Sequence, residues 1–438
     1  MTDRHPYQPL LNPQWQVAEA KYLYDILLGK MLQPEPQSPS DRFVPYLRAA
    51  NVQWTELRTE DIANMYASPR EIEACSVLPG DLLVCEGGEV GRAAVCPTGL
   101  PPETIIQNAV HRVRVKNGNS IRYLGYLLRH IANSGWFDVL CNKATIAHFT
   151  VEKFGDLLLG YPKPESQELI ADFLDSETLR LDRLISAKQH LLDLLAEKRR
   201  TLIARAITQG INPGVSRGDS GTPWLGEIPA HWMVWRVGHF ASVGNGSTPF
   251  RDNLEYWTGG TIPWLNSAAT NDAEITEARQ FVTARALAEC HLPLVPVGSV
   301  LVAITGQGKT RGQAALLTFS TTINQHIAYV TPDADIVRAD FLRLWFVSQY
   351  DFLRAMSDDM GGTKGALSCE QITNLRMAVP PLAEQKAIAT FVRVESKKMD
   401  DLAAATKRTI ILLQERRSAL ISETMTGQLL KKEIYAGA

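Results

Sequence analysis

The sequence lacks the features that would place this chain in a membrane, outside the cell or around a structural metal. No apolar run approaches the roughly 18 residues that a membrane-spanning helix needs. The polar, proline-broken start of the chain is unlike a signal peptide. Its 6 cysteines are dispersed without a CxxC pair, which disfavours a zinc site and fits free thiols in a reducing compartment. We therefore expect a cytoplasmic protein that does not enter a membrane.

Signatures of catalysis are equally scarce. The 9 histidines show no HExxH or related spacing, and no GxSxG nucleophile elbow occurs. One segment, 303–310 (AITGQGKT), satisfies a relaxed phosphate-loop pattern. Such a loop must open a helix, whereas the following RGQAALLTF predicts a turn and a strand. We predict that the chain has no catalytic site and binds no metal, with a phosphate-loop ATPase as the alternative.

Charge is distributed unevenly along the chain. The net charge of −2 argues against a general polyanion binder. Residues 88–130, however, hold six basic residues against two acidic ones, and residues 300–332 hold two basic residues and no acidic one. Local surfaces of this kind can bind phosphates. Ordinary solvated faces would explain the same charges, so charge alone leaves both interpretations open.

The main positive feature is a long helical stretch that occurs twice. Segments 162–208 and 380–426 align without a gap at a spacing of 218 residues, as between Gln167 and Gln385. Apolar residues follow a four-three spacing, which indicates a helix that packs against another helix. Each helix would be roughly 60 Å long, and pairing with the other copy is the simplest way to bury both seams. The predicted seam residues are Ile170, Leu174, Leu181, Leu184, Leu191, Leu195, Leu202, Ile388, Val392, Met399, Leu402, Leu413 and Leu420.

The rest of the chain repeats as well. VPYLRAANV (44–52) matches IPWLNSAAT, and GDLLVCEGG matches GSVLVAITG. Short strands such as 81–88 and 111–116, together with a helix over 123–137, predict mixed α/β domains. We predict an α+β fold in which two similar mixed α/β domains are separated and joined by two long helices that pair as an antiparallel coiled coil, a pseudo-twofold internal repeat. The predicted boundaries are 1–160 for the first domain, 161–209 for the first helix, 210–223 for a linker, 224–379 for the second domain and 380–430 for the second helix.

Polar residues between the matched scaffold positions differ between the two copies, which suggests two readers of two different targets. Arg pairs with guanine and Asn or Gln with adenine in the major groove of DNA, and Lys suits phosphates. Plain surface solvation is the alternative for every one of these residues. The candidate DNA-contacting residues are Arg92, Gln107, Asn108, His111, Arg112, Lys143, Lys309, Arg311, Asn324, Gln325, His326 and Lys364.

Five segments carry a resemblance to a known family. PKPESQELIADFLD and PPLAEQKAIATFV stand at the helix starts, and EKRRTLIARAITQGIN and ERRSALISETMTGQL at the helix ends. TPWLGEIPAHWMVWRV opens the second half. With these segments the chain resembles the specificity subunits of type I restriction-modification systems, and the resemblance covers essentially its whole length.

The resemblance implies a function in recognition of double-stranded DNA. Each domain would be a target recognition domain that reads one half of a split, asymmetric site. The helices would set the unspecified spacer and dock two methyltransferase subunits, which motor-nuclease subunits join. No cofactor would bind this chain, since S-adenosylmethionine, ATP and magnesium would belong to the partners. Alternatives are a methylation-only complex without a nuclease and a coiled-coil scaffold that never touches DNA.

Overall fold

The computed structural model describes residues 15–141, 148–306, 308–358 and 365–429. The chain forms two compact units: the first unit takes residues up to 189 together with those from 407, and the second unit takes 190–406. Each unit thus contains one mixed α/β domain and a section of both long helices. The predicted boundaries at 160 and 380 fall inside the units, because the helices contribute apolar residues to the domain cores.

Short strands and helices alternate in the first unit. Its strands are β1 (Gln16–Glu19), β2 (Tyr24–Leu28), β3 (Arg42–Leu47), β4 (Ala63–Ala67), β5 (Leu82–Cys85), β6 (Ala93–Val95), β7 (Ile105–Ile106), β8 (Val110–Val115) and β9 (Leu158–Tyr161). Its helices are α1 (Ala20–Leu23), α2 (Pro69–Cys75), α3 (Ile121–Asn133), α4 (Trp136–Leu140), α5 (Val151–Gly155) and α6 (Pro164–Gln209), the last of which continues into the second unit.

Two small sheets organise the first domain. One has the strand order β2-β8-β5-β6 and the other β4-β3-β7, in which β3 and β7 are parallel. Strand β1 pairs with β9, the strand that leads into α6. Leu82 and Val84 face the core formed with α3, whereas Leu83 and Cys85 face the second sheet. Strand β5 is therefore buried on both faces, which explains its uninterrupted apolar sequence.

The second unit repeats these elements. Its strands are β10 (Arg217–Asp219), β11 (Glu227–Pro229), β12 (Met233–Arg236), β13 (Ala241–Asn245), β14 (Ile262–Leu265), β15 (Glu274–Ile275), β16 (Gln280–Val282), β17 (Val300–Ala303), β18 (Ala314–Leu317), β19 (Thr322–Ile323), β20 (Ile327–Pro332) and β21 (Arg376–Val379). Its helices are α7 (Ala284–Glu289), α8 (Ala339–Ser348), α9 (Tyr350–Asp358), α10 (Cys369–Asn374) and α11 (Leu382–Met425).

The sheets of the second unit have the topology of the first. Strands β13-β20-β17-β18 correspond to β2-β8-β5-β6, with β15 added at the edge, and β16-β14-β19 correspond to β4-β3-β7. The pair β12-β21 corresponds to β1-β9. The duplication seen in the sequence is therefore a duplication of the fold, and the predicted α+β architecture is confirmed.

Two predicted segments differ in detail. The helix expected over 123–137 ends at Asn133, because Gly135 adopts a left-handed conformation (φ 73°) before α4 begins. The expected linker 210–223 contains β10, which pairs with β11 in a short hairpin. The Trp224 ring stacks on Phe352 at 5.2 Å, so this segment is docked on the second unit.

The two long helices pair within each unit and run in opposite directions. In the first unit Arg417 Nη2 lies 2.9 Å from Asp182 Oδ2, and in the second unit Arg199 Nη1 lies 2.6 Å from Asp400 Oδ1. Early residues of one helix thus contact late residues of the other, as antiparallel pairing requires. The two ion pairs are copies of each other, since 218 residues separate both the two aspartates and the two arginines.

The inward side of the helices differs from the predicted seam at its centre. Leu184 and Leu402 are 43% and 47% exposed, which corrects their assignment. The next residues, Ile185 and Ala403, are the half-buried ones, so the inward side lies one residue further along each helix. The predicted positions that are buried are Ile170, Leu174, Leu181, Ile388, Val392 and Met399. Those that are half-buried are Leu191, Leu195, Leu202, Leu413 and Leu420.

A buried glutamine fastens each long helix to its domain. Gln167 Oε1 accepts a 2.8 Å hydrogen bond from the backbone amide of Ser120, the residue before α3. Its Nε2 donates to the Pro162 carbonyl at 2.9 Å. In the second unit Gln385 makes the same bonds with the amide of Arg338 and the carbonyl of Pro380, at 2.8 Å each. These matched glutamines therefore fix the start of each long helix against α3 or α8.

We expect Gln167→Ala to destabilise the first unit by about 3 kcal/mol, because it leaves a buried amide and a carbonyl without partners. Urea denaturation followed by tryptophan fluorescence would measure the loss. Gln189→Ala, at an exposed position of the same helix, is the control and should leave the midpoint unchanged. Equal midpoints for both variants would contradict the fastening role.

Candidate nucleic-acid interface

In the first unit the two sheets meet at one end, where a short turn leads from β7 into β8. The backbone amide of Gln107 donates to the Leu47 carbonyl at 2.9 Å, and that of Val110 donates to the Gln107 carbonyl at 2.9 Å. Strand β5 ends at the same place, with Cys85 opposite Val110. We define this end of the sheet as the first polar edge, with Glu86, Gln107, Asn108 and His148.

The second unit has the same turn between β19 and β20. The amide of Asn324 donates to the Leu265 carbonyl at 3.0 Å, and that of Ile327 donates to the Asn324 carbonyl at 3.3 Å. Strand β17 ends beside it, with Ala303 opposite Ile327. We define this end as the second polar edge, with Thr248, Thr305, Lys309, Gln325 and His326.

A glycine in each unit lets a third strand exit against this turn. An added Cβ at Gly29, after β2, would lie 2.4 Å from the carbonyl oxygens of Ile106 and Gln107. At Gly246, after β13, it would lie 1.8 Å from the Ile323 carbonyl oxygen. No other residue fits without moving the backbone. The loops that follow β2 and β13 are therefore held beside the polar edges.

The side chains of the first polar edge leave hydrogen-bonding groups available. Gln107 and Asn108 are half-buried, and their side chains have no hydrogen-bond partner among the described residues. His148 Nδ1 lies 4.0 Å from Glu86 Oε1. This edge thus presents two amides next to an acidic residue.

The second polar edge is chemically different. Thr248 Oγ1 donates to Gln325 Oε1 at 2.5 Å, and Gln325 Nε2 lies 3.3 Å from His326 Nε2. The other ring nitrogen of His326 lies 2.6 Å from Thr305 Oγ1. These contacts orient the exposed Gln325 and His326 side chains. The same backbone therefore displays a different set of donors and acceptors in the two units.

Lys309 stands on the hairpin loop between β17 and β18. Arg354 Nη1 donates to the Gly308 carbonyl at 2.6 Å, and the Tyr350 hydroxyl donates to the Lys309 carbonyl at 2.8 Å. Helix α9 thus fixes the backbone of the loop while the lysine side chain is exposed. The loop joins two antiparallel strands and opens no helix, so the phosphate-loop alternative is rejected.

Comparison with known families decides the class of this chain. The type I restriction modification DNA specificity domain matches residues 14–192 and 229–410, once in each half. The chain belongs to this family. It is a specificity subunit with two recognition domains, the non-catalytic component of a type I restriction-modification complex, as the resemblance implied.

Several curated relatives are similar to this specificity subunit. The MjaIX specificity subunit of Methanocaldococcus jannaschii is 28% identical over 40% of this chain and 41% of its own length. The EcoR124I/EcoR124II specificity subunit of Escherichia coli is 21% identical over 42% of this chain and 46% of its own length. The putative MjaX specificity subunit of M. jannaschii is 21% identical over 95% and 94%. The chain thus spans less than half of the first two relatives and nearly all of the third.

Solved structures share the fold. A chain from a structural study of complex assembly and conformational transition of the type I R-M system has a TM-score of 0.71 at 16% identity, over 97% of this chain and 100% of that one. The HsdS subunit from Thermoanaerobacter tengcongensis has a TM-score of 0.55 at 17% identity, over 97% and 99%. In the described part of the specificity subunit, no helix is long and apolar enough to cross a membrane. The same residues contain no cluster of three or more His, Cys, Asp or Glu side chains suited to a metal ion.

Several predicted contact residues of the specificity subunit have internal partners. His111 is buried, with Nε2 2.6 Å from the Phe149 carbonyl oxygen. Arg112 is buried and donates to the carbonyls at the end of α2, and Arg311 and Asn324 are buried as well. Strand β8 lies between β2 and β5 with both faces covered, which explains why its polar residues turn inward. Lys143 and Lys364 lie outside the described residues.

The basic stretch 88–130 does not form an open positive surface. Arg92 Nη2 donates to the Ala49 carbonyl at 2.8 Å, and Arg114 forms an ion pair with Asp81 at 2.7 Å. Arg122 contacts three carboxylates of α6. These guanidinium groups hold the domain together, so the structural interpretation of this charge applies here. Among the candidates, the side chains left at the two polar edges are Gln107, Asn108, Lys309, Gln325 and His326.

Sequence reasoning missed an aromatic platform beside the second polar edge. The Arg251 guanidinium lies 4.3 Å from the Trp257 ring and 4.9 Å from the Trp264 ring. The loop that carries it follows Thr248, whose hydroxyl contacts Gln325. The available signal was the clustering of one arginine with several aromatic residues in 250–264.

His111 makes the first unit sensitive to acid. Burial lowers the pKa of its imidazole, which is therefore neutral in the folded state. Its stabilising contribution is complete above the ordinary pKa of the unfolded residue and is lost as pH falls towards the lowered folded pKa. Burial lowers the pKa of His130 in the same direction.

We expect the urea midpoint of the specificity subunit to fall between pH 7.5 and pH 5.5, and His111→Gln to flatten this dependence. Tryptophan fluorescence at three pH values would measure it. His148→Ala removes an exposed histidine and is the control, which should keep the slope of the wild-type protein. A slope unchanged by His111→Gln would assign the acid sensitivity to other groups.

Proposed function

We propose that each unit reads one half of a split, asymmetric DNA site through its polar edge. One observation carries the proposal: an identical turn presents Gln107 and Asn108 in the first unit and Asn324 and Gln325 in the second. Amide side chains can bind adenine in the major groove through paired hydrogen bonds. Because the scaffold is the same and the displayed groups differ, the two half-sites should differ in sequence.

Lys309 is proposed to contact a phosphate beside the second half-site. Its backbone is fixed by Tyr350 and Arg354, and its side chain projects from the loop into solvent. A fixed lysine supplies affinity and position without reading a base. Arg251, stacked on its tryptophans, is placed to do the same on the other side of Thr248.

The long helices are proposed to set the spacer between the half-sites and to dock two methyltransferase subunits, which motor-nuclease subunits join. S-adenosylmethionine, ATP and magnesium would act on those partners. Support comes from the paired helices, whose continuous residues 164–209 and 382–425 belong to both units. A methylation-only complex would use this chain in the same way, since the difference lies in the partners.

Methylome sequencing of a host that expresses this chain with its neighbouring methyltransferase subunit tests the proposal. We expect one methylated motif of two short, different half-sites around a fixed gap. A continuous motif would contradict reading by two units. No motif despite a stable complex would favour a scaffold that does not contact DNA.

Single substitutions assign the half-sites. We expect Gln107→Ala to relax only one half-site and Gln325→Ala only the other. Lys309→Ala should weaken binding to all sequences and reduce the slope of log K against log salt by about 1. Lys386→Ala, an exposed lysine on α11, is the matched control. Binding to fluorescent duplexes at several salt concentrations separates these effects, and a change in both half-sites by one variant would refute the assignment.

A further inference from the structure

The loop that follows β2 in the first unit reverses the usual placement of polar and apolar residues. Lys30 and Gln33 are directed inward, with the Lys30 ammonium 2.7 Å from both Gln33 Oε1 and Glu71 Oε1. Met31, between them, is 73% exposed, and Leu32 is 47% exposed. Buried polar groups next to exposed apolar ones indicate a surface that something else covers.

The backbone on both sides of Met31 is fixed. The Lys30 amide donates to the Ile106 carbonyl at 2.9 Å, and the Tyr66 amide donates to the Gln33 carbonyl at 2.9 Å. Gln33 Nε2 also donates to Asp41 Oδ2 at 2.9 Å. The two apolar side chains are thus presented on an ordered loop, although burying them would be the more stable arrangement.

The equivalent loop of the second unit presents a phenylalanine. Phe250 is 69% exposed, while Pro249 before it is buried. The Phe250 carbonyl accepts hydrogen bonds from Trp257 Nε1 and the Asn253 amide, at 3.2 Å each. Arg251 follows on its tryptophan platform. A fixed backbone with an outward aromatic ring therefore recurs at the same place as Met31 and Leu32.

Both loops lie beside the polar edges. Each begins at the glycine that contacts the turn, Gly29 or Gly246. In the second unit Thr248 links the loop directly to Gln325. Any duplex that reaches the amides of the turn therefore lies next to the exposed apolar side chains.

We propose that Met31 with Leu32, and Phe250, are apolar wedges that enter a base step at the margin of each half-site and bend the duplex. The inference rests on the proposed function of the polar edges. Inserted Met, Leu and Phe side chains partly unstack a step and kink DNA. Bending costs energy that depends on the sequence of the bent step, so the wedges add specificity at positions without hydrogen bonds.

The test uses the complex of the full chain with its methyltransferase subunit and a duplex carrying the motif that methylome sequencing defines. Dyes at the two ends report bending by energy transfer, and 2-aminopurine at steps flanking each half-site reports unstacking. We expect Phe250→Ala, and the double change of Met31 and Leu32 to alanine, to reduce the bend and the 2-aminopurine signal at one half-site each. Affinity should fall about 10-fold per wedge with the methylated motif unchanged. Phe250→Leu should retain most of the bend.

Val297→Ala and Leu78→Ala are the matched controls, since both residues are exposed and precede β17 and β5, at the ends opposite the polar edges. A wild-type complex that methylates a split motif without bending or unstacking DNA would overturn the wedge proposal alone. So would wedge variants that keep the wild-type bend and affinity. Variants that lose the methyltransferase subunit on purification would assign these loops to a protein partner instead. Absence of a split motif in the wild type would count against the proposed function itself.

Discussion

A fragment of residues 1–216, half of the chain, is expected to form a homodimer and, with methyltransferase subunits, to direct methylation of a palindromic site. The reason is the duplicated ion pair between the helices. Asp182 pairs with Arg417, and Arg417 is the copy of Arg199. In a dimer of fragments, Asp182 of each copy can pair with Arg199 of the other, so that two equivalent interfaces close the assembly.

Core residues of the first unit favour the same assembly. Ile421 and Met425 of α11 are buried in the core of the first domain. Their copies on α6 are Ile203 and Ile207, which would occupy these places from a second fragment. One hydrogen bond would be lost, because Ser422, which lies 3.1 Å from His130 Nδ1, has an alanine as its copy. The exchange is otherwise conservative in volume, which cores tolerate well.

Sedimentation at micromolar concentrations would measure the dimer, and methylome sequencing would show two inverted copies of one half-site. Arg199→Glu in the fragment should weaken the dimer about 10-fold, because two ion pairs become repulsive contacts. Adding Asp182→Arg should restore it by reversing both charges. A fragment that is folded but monomeric, or a double variant as weak as the single one, would contradict this geometry.

The sequence was sufficient to predict the duplicated architecture, because matching residues at one constant spacing record the whole fold. Gln167 and Gln385 were visible as matched residues, but their role was not, since their hydrogen-bond partners are distant backbone groups. The centre of the helix seam was misplaced by one residue for two reasons. In the first helix Leu184 and Ile185 are both apolar, so the pattern fits either of them, and in the second helix Ala403 gives a weaker apolar signal than the leucine before it.

The candidate interface was less predictable than the fold. Alternation in HRVRVK indicates a strand with one polar face, whereas β8 is covered on both sides by a second sheet and by helices. Its basic residues therefore serve the interior. Turn residues such as Gln107 and Gln325 were identified correctly as polar loop positions, yet only the three-dimensional meeting of the two sheets places them at one edge. Phe250 and Met31 carry no sequence signal of their own, because exposure is a property of the folded loop.

Removal of one heptad from each long helix, residues 184–190 and 402–408, is expected to shorten the spacer while both half-sites stay the same. The two ion pairs define the register: 17 residues separate Asp182 from Arg199, and 17 separate Asp400 from Arg417. Deleting seven residues from both helices keeps these separations equal, so both ion pairs can re-form. The helix pair becomes about 10 Å shorter, which corresponds to roughly 2–3 base pairs of duplex.

The single deletions are the decisive controls. Deleting a heptad from one helix leaves separations that differ by one heptad, so the two ion pairs cannot form together and the seam slips. We expect either single deletion to lower the urea midpoint and abolish methylation, and the double deletion to restore both. Methylation by the double variant should be slower than by the wild type, because each base pair removed also rotates one half-site about the duplex axis. Methylome sequencing checks the gap directly: an unchanged gap would separate the helices from spacer length, and altered half-sites would show that the deletion disturbs the recognition domains.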